Sequence, residues 1–169
     1  MKLAIETHGT GQPLVLIHGM GSAATAWQPI IPALAKQFSV VTIDLPGHGR
    51  TPYSPIQKMD PTSLAQLVLK NLKNIGIENF HLVANSLGGW VSFEIAVLNP
   101  AAVKSITALA PAGLWLTPFT SRYPGELALR VMASGVEKLA PSLLNYTWAK
   151  KIGFETVSPR WKELSYEIC

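Results

Sequence analysis

The sequence predicts an α/β fold built on a mostly parallel sheet with helices on both faces. Three observations lead there. Short, continuous apolar runs recur between residues 2 and 109, separated by stretches with helical spacing. Two of these runs end in glycine-rich turns, His18-Gly19-Met20-Gly21 and Asp44-Leu45-Pro46-Gly47-His48-Gly49. A third ends in Ala84-Asn85-Ser86-Leu87-Gly88-Gly89, a turn of small residues that leads directly into an apolar, helix-like segment.

The elements follow in order. Residues 2–7 suit an antiparallel edge strand, and 14–17, Leu-Val-Leu-Ile between Gly11-Gln12-Pro13 and Gly19, suit a strand buried on both faces. Residues 39–43 and 80–84 read the same way. Asp60 and Pro61 open a helix as N-cap and first helical residue, with Leu64, Leu67, Val68, Leu72 and Ile75 on one face and Gly76 as the stop. A second helix is expected over 87–99, where Trp90, Val91, Phe93, Ile95, Val97 and Leu98 leave almost no polar side, the mark of a buried helix. Residues 103–109 supply one more strand. Beyond Gly113 the strand period stops and helical segments lie between Pro118, Pro124, Pro141 and Pro159, with Leu127, Val131 and Leu139 on one face and a last helix from Ser158 carrying Trp161, Leu164 and Ile168. The boundary falls at Ala112-Gly113, so residues 1–112 form the core part and 113–169 a helical cap or lid segment.

Composition excludes several classes. The chain has 169 residues, 48% of them apolar, enough for one domain with a core. Its charge of +4 is scattered, with neither run nor stripe, which argues against nucleic acid. The longest apolar stretch, 106–116, contains Pro111 and is too short to span a membrane. Glu6 interrupts the N-terminus before any secretory apolar region, so the expected location is cytoplasmic. The one cysteine, Cys169, leaves no internal disulfide.

Acyl transfer needs a nucleophile lifted clear of its sheet and N–H groups aimed at the oxygen that becomes negative. A serine on a tight strand-to-helix turn meets the first need if the residues two before and two after are small enough for close approach. Here those are Ala84 and Gly88. The three segments, in this order and at this spacing, resemble the front half of an α/β hydrolase, with 84–89 as its nucleophile elbow, Gly-x-Ser-x-Gly, bearing alanine in place of the first glycine. The resemblance covers roughly residues 3–112. It implies an α/β-hydrolase-type sheet, Ser86 as nucleophile, and the N–H groups of Met20 and Leu87 as the oxyanion hole. His18 would brace the loop that Gly19 and Gly21 shape. The implied activity is that of a serine hydrolase on a small-molecule acyl substrate, an ester, thioester or activated C–C bond, with no cofactor and no metal. A cofactor-free haloperoxidase-like or lyase activity would use the same elbow.

In that family the triad continues with an Asp or Glu and then a His, both on later strands. No histidine follows His81, and the first acids after Leu109 are Glu126 and Glu137, inside expected cap helices. The expectation is therefore a truncated chain, its last strands missing, inactive by itself. The rival expectation is a non-catalytic fragment or a subunit completed by a second polypeptide. Either way the strand at 103–109 becomes an open edge through which copies associate.

The other candidates have plain readings. Asp44 and His48 belong to a structural turn, and His8 to a solvated one. His81 begins the strand that ends at Ser86, and five residues at about 3.3 Å each put it at the far end of the sheet. Trp115, Trp148 and Trp161 could line an acyl pocket, though such aromatics more often simply pack.

Overall fold

Among the described residues, apolar segments form five strands, β1 (Ala4–His8), β2 (Gln12–Ile17), β3 (Phe38–Asp44), β4 (Phe80–Asn85) and β5 (Val103–Leu109). The computed structural model describes residues 1–114, 146–148 and 151, and the chain divides into two units, Met1–Leu114 and Trp115–Cys169. All five strands lie in the first unit. The expectations for the cap helices, including Trp115 and Trp161, fall outside the described residues, while Trp148 is exposed.

The strands form one sheet in the order β1-β3-β2-β4-β5, with β1 antiparallel at one edge and the other four parallel. Three helices connect them, α1 (Ile31–Leu34), α2 (Pro61–Asn74) and α3 (Leu87–Leu98), with short 3₁₀ turns at Ala24–Trp27 and Pro100–Ala102. On one face Leu64, Val68 and Leu72 of α2 and Val91 and Ile95 of α3 pack on Val15, Ile17, Val41, Ile43, Leu82 and Ala84. Each such side chain contributes about 1.5–3 kcal/mol when fully buried. The opposite face is smaller, with Leu14, Leu16, Val40 and Trp27 covered by Ile31, Leu34 and Phe38. Since β2 leads to β3 on one side and β4 leads to β5 on the other, the strand order reverses between β2 and β4. Open α/β sheets hold their ligands at the carboxyl ends of such a pair.

α2 begins as its sequence demands. Asp60 caps it by accepting from the Ser63 N–H at 2.9 Å, with Pro61 at the first position. Its end differs from the expected face. The Gly76 N–H donates to Lys73 O at 3.0 Å and the Ile77 N–H to Leu72 O at 3.0 Å, a Schellman turn with Gly76 at φ +77°. This turn carries Ile77 onto the core and leaves Ile75 49% exposed. α3 likewise is not buried all round: Gly88, Val91, Ser92 and Ile95 face inward, whereas Val97 is 78% and Leu98 41% exposed. β4 alternates, with Phe80, Leu82 and Ala84 buried and His81, Val83 and Asn85 half-buried, so only one of its faces is fully covered. His8 ends β1 instead of lying in a turn.

Candidate active site

Ser86 follows β4 and precedes α3 with φ 48° and ψ −112°. A non-glycine residue in that region costs about 1–3 kcal/mol and persists only where its surroundings over-determine it. Here they do. The Ser86 N–H donates to Leu109 O at 3.0 Å, and the Ser86 carbonyl accepts from the N–H groups of Ala112 at 2.9 Å and Trp90 at 3.2 Å. The Asn85 Nδ2 donates to the same Leu109 carbonyl at 3.2 Å. Below the turn, α3 meets the end of β2 so closely that a Cβ on Gly88 would lie 2.4 Å from the Ile17 carbonyl oxygen. Only glycine fits there. Ala84 is fully buried in the sheet, paired with Ile17 and Ala108.

The loop after β2 passes directly over the serine, since a Cβ on Gly19 would lie 3.2 Å from the Ser86 Cβ and 2.8 Å from the Asn85 Oδ1. Within the loop the Ser22 N–H donates to Gly19 O at 3.3 Å and the Gly21 N–H to His48 Nε2 at 3.1 Å. Among the described residues the Met20 N–H has no acceptor. The Leu87 N–H is the first of α3, whose N-terminus has no side-chain cap, and first-turn donors have no partner within their own helix. Helix N-termini favour negative charge. The loop and the first turn of α3 thus each bring an unpaired N–H next to the residues that border Ser86.

Two imidazoles hold this loop. His18, buried at the end of β2, accepts the Leu45 N–H on Nε2 at 3.0 Å, so Nδ1 carries the proton and donates it to Gly19 O at 2.7 Å. Burial holds its pKa below the usual 6.5, and the ring is neutral. His48 accepts the Gly21 N–H and donates from Nδ1 to Pro46 O at 2.9 Å. Asp44 spends both carboxylate oxygens on main-chain donors, Ala24 N–H at 2.7 Å and Arg50 N–H at 3.1 Å, and serves the fold. His81 bonds Ser105 Oγ at 2.8 Å and Gln12 Oε1 at 2.9 Å, while His8 lies 3.7 Å from Glu6. These are all four histidines of the chain. None bonds the Ser86 hydroxyl, which has no hydrogen-bond partner among the described residues.

A cleft of about 140 Å³ beside the serine is lined by His18, Gly19, Ser22, Trp27, Asn85 and Leu109. A larger one, about 1000 Å³, lies between residues 1–7 and the end of α2 and touches none of these groups. Among the described residues no cluster of His, Cys, Asp or Glu could hold a metal, and no helix is long and apolar enough to cross a membrane.

Sequence reasoning did not find the grip of Leu109 and Ala112 on Ser86, or the bond between His48 and Gly21. The first is main-chain bonding across a parallel pair, visible from residues alone only if the β4–β5 register is known. The second had one signal, a histidine in a turn expected to lie beside the loop.

The sheet order, the strand–serine–helix turn and the loop above it define an α/β hydrolase. The chain belongs to that family, whose model, described as alpha/beta hydrolase fold, matches residues 12–147. It is 41% identical over 104 residues to the dihydrolipoyllysine-residue acetyltransferase component of the acetoin cleaving system of Pseudomonas putida, covering 62% of this chain and 28% of that protein. It is 33% identical over 140 residues to a pimeloyl-[acyl-carrier protein] methyl ester esterase of Aeromonas hydrophila, covering 83% of this chain and 52% of the relative. In structure it is similar to an esterase from a marine microorganism, with a TM-score of 0.73 and 22% identity over 81% of this chain and 52% of that one, a likeness of fold. The chain therefore spans from about a quarter to about half the length of these proteins.

Proposed function

We propose that Ser86 is the nucleophile of a hydrolase acting on a small-molecule carboxylic ester, thioester or activated C–C bond. The reading is carried by one observation, the left-handed backbone of Ser86 at the strand-to-helix turn. Strain of this kind, kept at a residue that can attack a carbonyl, supports a chemical use for it. In the proposed reaction Oγ adds to the acyl carbon. The carbonyl oxygen takes the charge against the N–H groups of Met20 and Leu87, which have no acceptors among the described residues. The Ser86 proton passes to a general base, the leaving group departs with a proton, and water releases the acyl group from the serine. An ester is favoured within this range because the Aeromonas relative is named for one.

Among the described residues none of the four imidazoles bonds Ser86, so we assign the base to a residue outside this chain. That observation favours a second reading, in which these 169 residues are one part of an enzyme completed by further polypeptide. Without the base, binding and the oxyanion donors would supply only about 10³–10⁴ over water, by analogy with serine proteases stripped of their triads. β5 pairs only with β4 among the described residues, and we propose that a second copy can pair with its other edge, which sedimentation at micromolar concentration would test.

Treatment with a fluorophosphonate and mass measurement tests the assignment of Ser86. The expected result is slow labelling of this chain at Ser86, none in Ser86→Ala, and rapid labelling once the base is supplied by an added C-terminal half of a relative. Labelling at another serine overturns the assignment. With a nitrophenyl acetate, the chain alone should turn over no faster than Ser86→Ala, and a large drop on that substitution would place a working base within these residues.

A further inference from the structure

We infer that His48 is a positioning residue for the loop above Ser86 and makes its shape depend on pH. The inference rests on the proposed use of the Met20 N–H but concerns the loop alone. Three consecutive amides, those of Met20, Gly21 and Ser22, lie in this loop. Ser22 is tied to Gly19 O at 3.3 Å and Gly21 to His48 Nε2 at 3.1 Å, which leaves the Met20 N–H without an acceptor among the described residues. His48 thus decides which of the loop's amides is spoken for.

A backbone N–H can only donate, so Nε2 must be bare for the bond to Gly21 to exist. The ring's single proton then sits on Nδ1, where Pro46 O receives it at 2.9 Å. Both ring nitrogens are used, and a second proton has one place to go, the nitrogen facing Gly21. There it sets N–H against N–H, and the attraction becomes a repulsion. The half-buried His48 remains within reach of solvent protons.

The charged groups around the ring do not oppose this. His18, at 5.1 Å between ring centroids, is neutral and fully bonded. The Asp44 carboxylate is occupied by Ala24 and Arg50 N–H groups, and the Arg50 guanidinium pairs with Glu6 of β1 and Asp44. Tyr53 packs beside Gly47 of the same turn, and the facing loop, Gly19 to Ser22, holds no titratable side chain. His48 is therefore the titratable group, among the described residues, whose protonation breaks a bond of this loop.

Amide NMR of the full chain between pH 8 and 5 tests this. As the His48 ring protonates, the Gly21 amide resonance should shift with it, its protection against hydrogen exchange, taken relative to the intrinsic rate at each pH, should fall about tenfold, the worth of one hydrogen bond, and the Met20 resonance should follow. The Leu45 amide, bonded to the buried His18, should respond only below the ordinary imidazole value of 6.5. In His48→Ala the Gly21 amide should exchange about tenfold faster already at pH 8, with no further step. In His48→Gln, whose side-chain oxygen can accept but not titrate, protection should persist across the range. A Gly21 amide indifferent to the protonation of His48 overturns the inference, as does unchanged Gly21 exchange in His48→Ala. Should that variant not fold, the titration of the parent chain decides. None of these readouts uses turnover: a responsive loop with an unlabelled Ser86 removes the hydrolase reading alone, and a labelled Ser86 with an indifferent loop removes this inference alone.

Discussion

The elbow at Ser86 and the loop at Gly19–Ser22 face each other across a few ångströms and are held in opposite ways. Around Ser86 the restraints are main-chain bonds to Leu109, Ala112 and Trp90 and the close approach of Gly88 to Ile17. Around the loop they are two imidazoles, His18 on Gly19 and His48 on Gly21. Each half is therefore vulnerable to a different kind of change. Main-chain restraint resists most side-chain substitutions and any ordinary change of pH but fails abruptly when a methyl group intrudes. Side-chain restraint yields to a single substitution or to a single proton.

The sharpest way to break the elbow is Gly88→Val, which drives a Cβ to 2.4 Å from a backbone oxygen. We expect a loss of about 3 kcal/mol in urea unfolding, the upper range for overpacking, together with loss of Ser86 labelling. The loop should suffer next from His18→Ala, which strips the buried Leu45 N–H of its acceptor at a cost of about 2 kcal/mol. The same variant should flatten an acid dependence of the parent. Because the folded-state pKa of His18 lies below 6.5, the unfolded chain binds more protons in the window beneath that value, and stability should fall as pH drops through it. Unfolding curves at several pH values check both statements. A smaller change of opposite sign is expected from Ser86→Gly, which removes the left-handed strain and should stabilise by about 1 kcal/mol while abolishing labelling. A stability unchanged or lowered would mean that the turn stores little strain. Smallest should be Asp60→Ala, at the exposed start of α2. It should lower the Tm slightly at neutral pH. The Ser63 N–H holds that carboxyl below 3.8, so its contribution is present above that value and fades in acid.

The sequence made the central strands and the strand-to-helix turn legible because burial on both faces forces continuous apolar runs, and because the His18-Gly19 and Asp44–Gly49 segments stand upstream of Ala84, Ser86 and Gly88 at a spacing that resembles the family. Its errors share one cause. Whether Ile75, Val97 or Leu98 is covered depends on neighbours far along the chain and on the turn at Gly76, not on the hydrophobicity of the residue itself. β4 looked doubly buried for the same reason, as its apolar letters say nothing about how far the smaller core extends beneath Val83. The loop glycines and His18 could be singled out from their pattern, but the donor and acceptor assignments that pin them were not accessible from letters.

The carbonyl of Leu109 ends β5 and receives both the Ser86 N–H and the Asn85 amide. β5 is an edge of the sheet, bonded along β4 alone among the described residues, and strands with a single neighbour open locally at lower free energy than the centre. Each fraying of β5 past Leu109 therefore removes one of the bonds that hold the Ser86 backbone, so the hydrogen exchange of the Ser86 amide should follow the opening of β5 and not that of the apolar centre.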